Sequence, residues 1–260
     1  MDWREEYRNA LLDTSYNPPD IRKLVKPHIP ENLYKYGSFE SKYWEKIIYK
    51  AQIHLSSAKL FNDPFDCRAN FDYKGAISKG KFRDELIKRF GEEDIENIPN
   101  EIVQKYIIEG MREDVFVGCF SEIWNSILMW AHYANNYNGY CIEYDITQVR
   151  EHLKYNLYPV LYEKEYVDIT DSLVNYNRNT GLICNLVKAQ EWNYEQEWRI
   201  VEYRKEPFYF RKALKAVHLG KNCSQKIKDN IMQWAKESNK EVYVIEASRT
   251  RYELERHRII

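Results

Sequence analysis

Apolar positions along the chain follow two periods, and the changes between them mark its elements. Residues 33–36 are β-prone, and residues 40–50 carry Tyr43, Trp44, Ile47 and Ile48 at helical spacing, so a strand leads into an amphipathic helix. Residues 53–57 read as a second strand. Between 78 and 112 the pattern turns helical twice, at 82–90 and 102–111, on either side of an acidic, proline-marked stretch; this predicts a helical insert. Residues 115–120 and 140–146 are β-branched or aromatic runs flanking a helix at 127–134, for which Asn125 or Ser121 is the candidate cap. Downstream, 157–162 reads as strand, 173–189 as mostly helix and 198–203 as strand. Residues 214–219 form a strand ended by a turn at Gly220, Ser224 caps a helix reaching Trp234, and 242–247 is a further strand. Near the N-terminus a short helix precedes Pro18, Pro19, Pro27 and Pro30, which predict an arm draped over the domain.

This mixture predicts an α+β class: mixed, largely antiparallel sheets with flanking helices and the insert, residues 33–260 forming one domain behind the helix and arm of residues 1–32. With 260 residues, 44% of them apolar and 30% charged, the chain can bury a proper core. A formal net charge of -1 excludes a global basic field of the kind that draws proteins to nucleic acid or anionic lipid. No apolar run approaches the roughly 20 residues needed to span a bilayer, and Met1–Glu6 lacks a signal peptide's basic start and apolar centre. The expectation is a soluble, cytoplasmic protein without a membrane partner. Its five cysteines are widely spaced without a Cys-x-x-Cys pair and read as reduced, mostly buried thiols. The 22 tyrosines and 7 tryptophans supply core area and also flat faces on which a ring can stack.

Four segments carry candidate chemistry. Phe61-Asn62-Asp63-Pro64-Phe65-Asp66 follows a strand and sets an amide and two carboxylates around a proline-fixed turn, which either presents side chains to a ligand or forms an Asx-turn bonding only its own backbone. In Met129-Trp130-Ala131-His132-Tyr133, which runs into a polar turn ending at Gly139, Trp130 and Tyr133 share a face and either floor a ring pocket or pack in the core; His132 points elsewhere, as a solvated or capping residue. Alternation along 140–146 puts Tyr140, Ile142 and Tyr144 on one side and Cys141, Glu143 and Asp145 on the other, so Glu143 is a salt-bridge partner or a pocket carboxylate. Strand periodicity puts Glu195, Glu197 and Arg199 in one line, the carboxylates about 7 Å apart. Like charges so placed raise each other's pKa unless paired, so one glutamate is poised while Arg199 holds the other, or all three form a surface ladder.

Taken in order, these segments resemble the bacterial family called domain of unknown function 2971, from about Leu33 onward. Its pattern is matched by Tyr34 and Tyr36, Asn62 to Asp66, Phe120 and Ser121, Met129-Trp130, Tyr133, Gly139, Lys188, Trp192 and Tyr194 to Arg199; family members often carry arginine where this chain has Gly37. The resemblance implies an architecture of motifs and no reaction. A weaker resemblance is to ADP-ribosyltransferase-like enzymes: an early strand with Tyr34 and Tyr36, a second with Ser56 and Ser57, and a later one with Glu-x-Glu. It implies cleavage of the nicotinamide glycosidic bond, with NAD as a substrate and no metal. Glu197 would fix the ribose hydroxyls, Glu195 would orient the acceptor, Tyr36 and Trp130 would sandwich the nicotinamide, and Lys188 or Arg199 would face the pyrophosphate.

Two other classes stay open. One is a metal-dependent nuclease or phosphoesterase with Asp63, Asp66, Glu143 and Glu197 as oxygen ligands near Lys188. The other is a non-catalytic module recognising a nucleotide or partner. A toxin or phage-defence role goes with the transferase and with the binding module, the transferase's acceptor is a protein or a nucleic acid, and an oligomeric assembly is compatible with every class.

Overall fold

A computed structural model describes residues 2–154, 156–175, 177 and 179–260. Its strands in chain order are β1 (Asn32–Gly37), β2 (Gln52–Ile53), β3 (Ser56–Ser57), β4 (Phe116–Ser121), β5 (Tyr140–Asp145), β6 (Leu157–Pro159) and β7 (Leu161–Glu163). They continue with β8 (Val187–Ala189), β9 (Glu197–Glu202), β10 (Phe208–Tyr209), β11 (Leu214–Leu219), β12 (Glu241–Ala247) and β13 (Leu254–Arg258). The main sheet runs β13-β12-β11-β5-β1-β4-β9-β6, with β3 also on β4; β11 and β12 are parallel and the other pairs antiparallel. Helices flank this mixed sheet, so the molecule is α+β. No described helix is long and apolar enough to cross a membrane.

The alternation read along 140–145 decides the two faces of the sheet. Tyr140, Ile142 and Tyr144 join the large core with Leu33, Val217 and Ile231, while Cys141 lies on the opposite face with Tyr34, Trp130, Ala134 and Ile245. The helix Gln225–Ser238 is capped by Ser224, whose side chain accepts from the Ile227 N–H, as its sequence predicts.

Several elements depart from their sequence signals. Pro18 and Pro19 open a helix, Pro18–Val25, in place of an extended arm, because proline fits the first helical turn, where its missing N–H is an orphan anyway. The predicted helix at 40–50 shrinks to Trp44–Tyr49. The strand at 53–57 breaks into β2 and β3, and that at 157–162 into β6 and β7, where the Val160 N–H turns to the Glu197 carbonyl at 2.9 Å. Ser126, not Asn125 or Ser121, caps the helix Ile127–Tyr133. The helical stretch expected at 173–189 is two short helices, Thr170–Val174 and Thr180–Leu186, followed by β8; its positions 176 and 178 lie outside the described residues. β13, Leu-Glu-Arg-His-Arg, has no apolar alternation and was not predicted.

One feature of the sheet positions the site. β4 is fully paired with β9 on one edge, but on the other it meets β1 only at Tyr34↔Ser121 and β3 only at Ser56↔Val117 and Ser57↔Phe116. β1 therefore diverges from β4 after Tyr34, and a gap opens in the middle of the sheet.

Candidate functional site

A cavity of about 540 Å³ is lined by β1, the 60–66 turn, β4, the helix Ile127–Tyr133, Lys188 and the segment leading into β9. Its walls are aromatic, with Tyr34, Tyr36, Phe61, Phe120, Tyr133 and Trp192, and its floor is ionic, with Asp66, Lys188, Glu195, Glu197 and Arg199. All five ionic residues are at least nine-tenths buried, Arg199 wholly so.

Strand β9 sets two of these charges. Glu197 and Arg199, two apart on β9, stand opposite Ser121 and Cys119 of β4 and point to one face. Arg199 Nε donates to Glu197 Oε1 at 2.8 Å, and Nη2 donates to Glu197 Oε2 at 2.9 Å and to Asp66 Oδ2 at 2.8 Å. Nη1 donates to the Asn185 carbonyl at 2.9 Å and to Cys67 Sγ at 3.1 Å. A guanidinium has five N–H donors, and these five bonds use them all.

Glu195 does not continue the strand. It ends a 3₁₀ helix, Gln190–Glu195, and Gln196 adopts a left-handed conformation at φ 45° before β9 begins. Its carboxylate nevertheless converges on the same floor, because the left-handed turn folds it back and the Ser121 hydroxyl holds the Glu195 carbonyl at 2.6 Å. Lys188 Nζ bridges the set, 2.5 Å from Glu195 Oε2, 3.1 Å from Glu197 Oε2 and 3.5 Å from Asp66 Oδ2. Tyr133 donates to Glu195 Oε1 at 2.6 Å.

The Asn62–Asp66 turn contains the Asx-turn read from it, and it also places Asp66 among the floor charges. Asp63 Oδ1 accepts from the Phe65 N–H at 2.8 Å, an Asx-turn, and that turn delivers Asp66 to Arg199 and Lys188. The next residue, Cys67, is held at φ 56°, a costly conformation for a residue with a Cβ. It turns the chain back so that its N–H meets the Val187 carbonyl and its sulfur meets Arg199.

Three carboxylates against two cations leave the floor with one formal negative charge in excess. Against the cost of burial, Arg199 and Lys188 hold Glu197 well below the ordinary carboxylate range. Burial, with the charge of Glu197, pushes Glu195 upward despite its bonds to Lys188 and Tyr133. The two glutamates are thus split into a locked anion and a poised acid, and Glu195, with one bonded partner on each oxygen, keeps acceptor capacity toward the cavity.

The expected residues fall into two groups. Tyr34, Tyr36, Asn62, Asp63, Asp66, Tyr133, Lys188, Glu195, Glu197 and Arg199 line the cavity. Trp130, Ser56 and Glu143 do not. Trp130 is fully buried, its Nε1 donates to the Trp124 carbonyl at 2.6 Å, and its ring meets Tyr36 edge-to-face at 5.5 Å, so no ring can enter between the two. Ser56 is taken up in pairing with Val117. Glu143 belongs to a separate buried cluster, bonded to Lys215 at 2.6 Å, Arg256 at 2.9 Å and His218 Nε2 at 3.1 Å. The oxygen-ligand set of Asp63, Asp66, Glu143 and Glu197 is therefore not assembled. His132 does not point away; it lines the mouth, its Nδ1 3.0 Å from the Tyr194 hydroxyl. Sequence reasoning missed Lys35 and Cys119, which reach the cavity only because β1 and β4 separate; Phe61, which opens the candidate 61–66 segment, sets its ring 5.2 Å from the Arg199 guanidinium.

Residues 129–200 match the family described as a protein of unknown function (DUF2971). This segment contains Met129-Trp130, Tyr133, Gly139, Lys188, Trp192 and Tyr194 to Arg199, the later half of the motif series, whereas Tyr34, Tyr36 and the 62–66 turn lie outside it. No curated protein and no solved structure matches the chain. At Gly37, where the resemblance leads one to expect arginine, a Cβ would fall 2.5 Å from the Tyr140 ring.

Proposed function

We propose that the cavity binds a nucleotide and cleaves its N-glycosidic bond, with NAD as the substrate, so that the chain is an NAD glycohydrolase or an ADP-ribosyltransferase. The observation that carries this reading is the pair of glutamates with opposed pKa shifts on the floor of an aromatic-walled cavity. Breaking the bond between the ribose C1′ and the nicotinamide nitrogen sends the electron pair to the pyridinium, which leaves neutral, and positive charge develops on the ribose. A floor with an excess negative charge, already organised and shielded from water, stabilises that charge.

Glu197 supplies the fixed part of this field, its charge held by Arg199 and Lys188. Because its oxygens are engaged, the direct contact expected of it passes to Glu195. In its ionised form Glu195 takes the proton from the attacking water or acceptor hydroxyl as the new bond to C1′ forms. Stacking faces for the leaving ring come from Tyr133 and Trp192 at the mouth, in place of the Tyr36–Trp130 pair.

The test is nicotinamide release from NAD, followed by chromatography, with and without cell lysate as a source of acceptor. Glu195→Gln is expected to lower release by about 10²–10⁴-fold while circular dichroism stays native. No release by the native, folded protein under either condition sinks the reading.

A further inference from the structure

We infer that Lys35 is the anion seat of the cavity, receiving the phosphate groups of a nucleotide, so that the ligand is a phosphate-bearing nucleotide and not a nucleoside. This rests on the nucleotide reading above and deepens it. Three cations border the cavity, and they differ in how many of their donors the protein already uses. Arg199 has all five of its donors engaged by the protein, and the Lys188 ammonium faces three carboxylates. Arg199 therefore has no donor left for an incoming phosphate, and Lys188, hydrogen-bonded to Glu195 and Glu197 and 3.5 Å from Asp66, already has its charge met by three carboxylates.

Lys35 differs from both. It sits on β1 at the point where that strand leaves β4, and its side chain crosses the gap to donate to the Cys119 carbonyl at 2.9 Å. Its ammonium stands 5.3 Å from the Phe120 ring centre. Among the described residues no carboxylate is ion-paired with it, so one of its three N–H donors is used and two remain, on a side chain that lines the cavity. Burial lowers its pKa, with Cys119 and Glu197 opposing. The same flank is electropositive toward its other neighbour: His54 is lowered by burial and then by Lys35 and Lys205. A half-buried ammonium with no carboxylate in ion-pair contact among the described residues is a cost to the empty protein, and an anion that accepts its two spare donors relieves it.

The experiment is calorimetric titration of the full chain with pyrophosphate, ADP-ribose and adenosine, beside Lys35→Gln, Lys35→Met and Lys35→Arg. Pyrophosphate and ADP-ribose are expected to bind the native protein, to lose about tenfold or more in affinity in Lys35→Gln and Lys35→Met, and to recover in Lys35→Arg; adenosine affinity stays the same throughout. The empty Lys35→Met protein is expected to melt no lower than the native one, since an uncompensated charge has been removed. Two results overturn the inference: no binding of either anion by the native protein, or equal binding by Lys35→Met with a lowered melting temperature, which would make Lys35 a strut for the Cys119 carbonyl. Nicotinamide release is measured separately, so anion binding through Lys35 without release would preserve this inference and refute glycosidic cleavage.

Discussion

Replacing Arg199 with methionine probes the site and the fold together. The substitution keeps an unbranched apolar stem reaching about as far as Nε but removes five hydrogen bonds at a fully buried position. Asp66 and Glu197 are then left with Lys188 as their one ion-paired cation among the described residues, and the formal charge of the floor moves from −1 to −2. Removing one partner from a buried ion pair costs about 3–5 kcal/mol, because the remaining charge stays desolvated. For a chain of this size each kcal/mol shifts the melting temperature by about 2–4 °C, so the expected fall is roughly 6–20 °C. Urea titration followed by tryptophan fluorescence reads the same loss as a free energy.

The pH dependence gives an independent check. In the native protein Glu197 is depressed below its ordinary value of 4.5, so its contribution is present above that pH and is lost as the pH falls through the folded value. In Arg199→Met that contribution is absent, and the underpaired carboxylates bind protons more readily folded than unfolded. The variant therefore gains stability on acidification from neutrality toward about pH 5, and its deficit shrinks. A variant within about 1 kcal/mol of the native protein at neutral pH, or a deficit that stays constant on acidification, would show that Arg199 does not hold these carboxylates in their charged form.

Three further predictions follow from neighbouring residues. Tyr133→Phe removes a donor that holds Glu195 down, so the acidic limb of the nicotinamide-release profile should move up by about one to two pH units; an unmoved limb would show that Glu195 does not govern it. Gly139→Ala should cost about 3 kcal/mol, measured by thermal melting, because its Cβ would lie 2.2 Å from the Gly37 carbonyl oxygen and 2.9 Å from that of Ala134, both backbone atoms that cannot swing away. Glu143, lowered to about 2 against burial by bonds to His218 and Lys215, contributes stability that is lost as the pH falls from about 4.5 toward about 2. Glu143→Gln should cost about 2 kcal/mol at neutral pH and flatten the acid-unfolding curve in that window without changing ADP-ribose affinity.

Local periodicity carries most of the elements, since whether a strand or helix forms depends on neighbours two to four positions away. The two faces of β5, the core strand β11 and the Ser224 cap are legible for that reason. The segments flanking the site are legible as motifs too, because unusual clusters of aromatic, acidic and amide residues stand out from an ordinary background. β13 was invisible because its strand character comes from pairing with β12 and from Arg256 reaching Glu143, both supplied from elsewhere in the chain.

What a charge does is a tertiary property. In sequence, Glu143, Glu195 and Glu197 look alike, three acids beside aromatic residues. In the fold one is tied to Lys215, His218 and Arg256, one is poised beside Tyr133, and one is locked by Arg199. These fates follow from which cations lie within about 3 Å and how much water is excluded, and neither is encoded within a few residues of the acid. Lys35 is the extreme case. Its own strand marks it as one more lysine between two tyrosines, and it becomes a cation in a cavity only because β1 parts from β4 and leaves its ammonium with a single backbone carbonyl as partner. Neighbouring residues were enough to set the elements and mark the segments that matter, whereas which of their charges cancel and which are left for a ligand depended on the folded arrangement, because desolvation and pairing act through space.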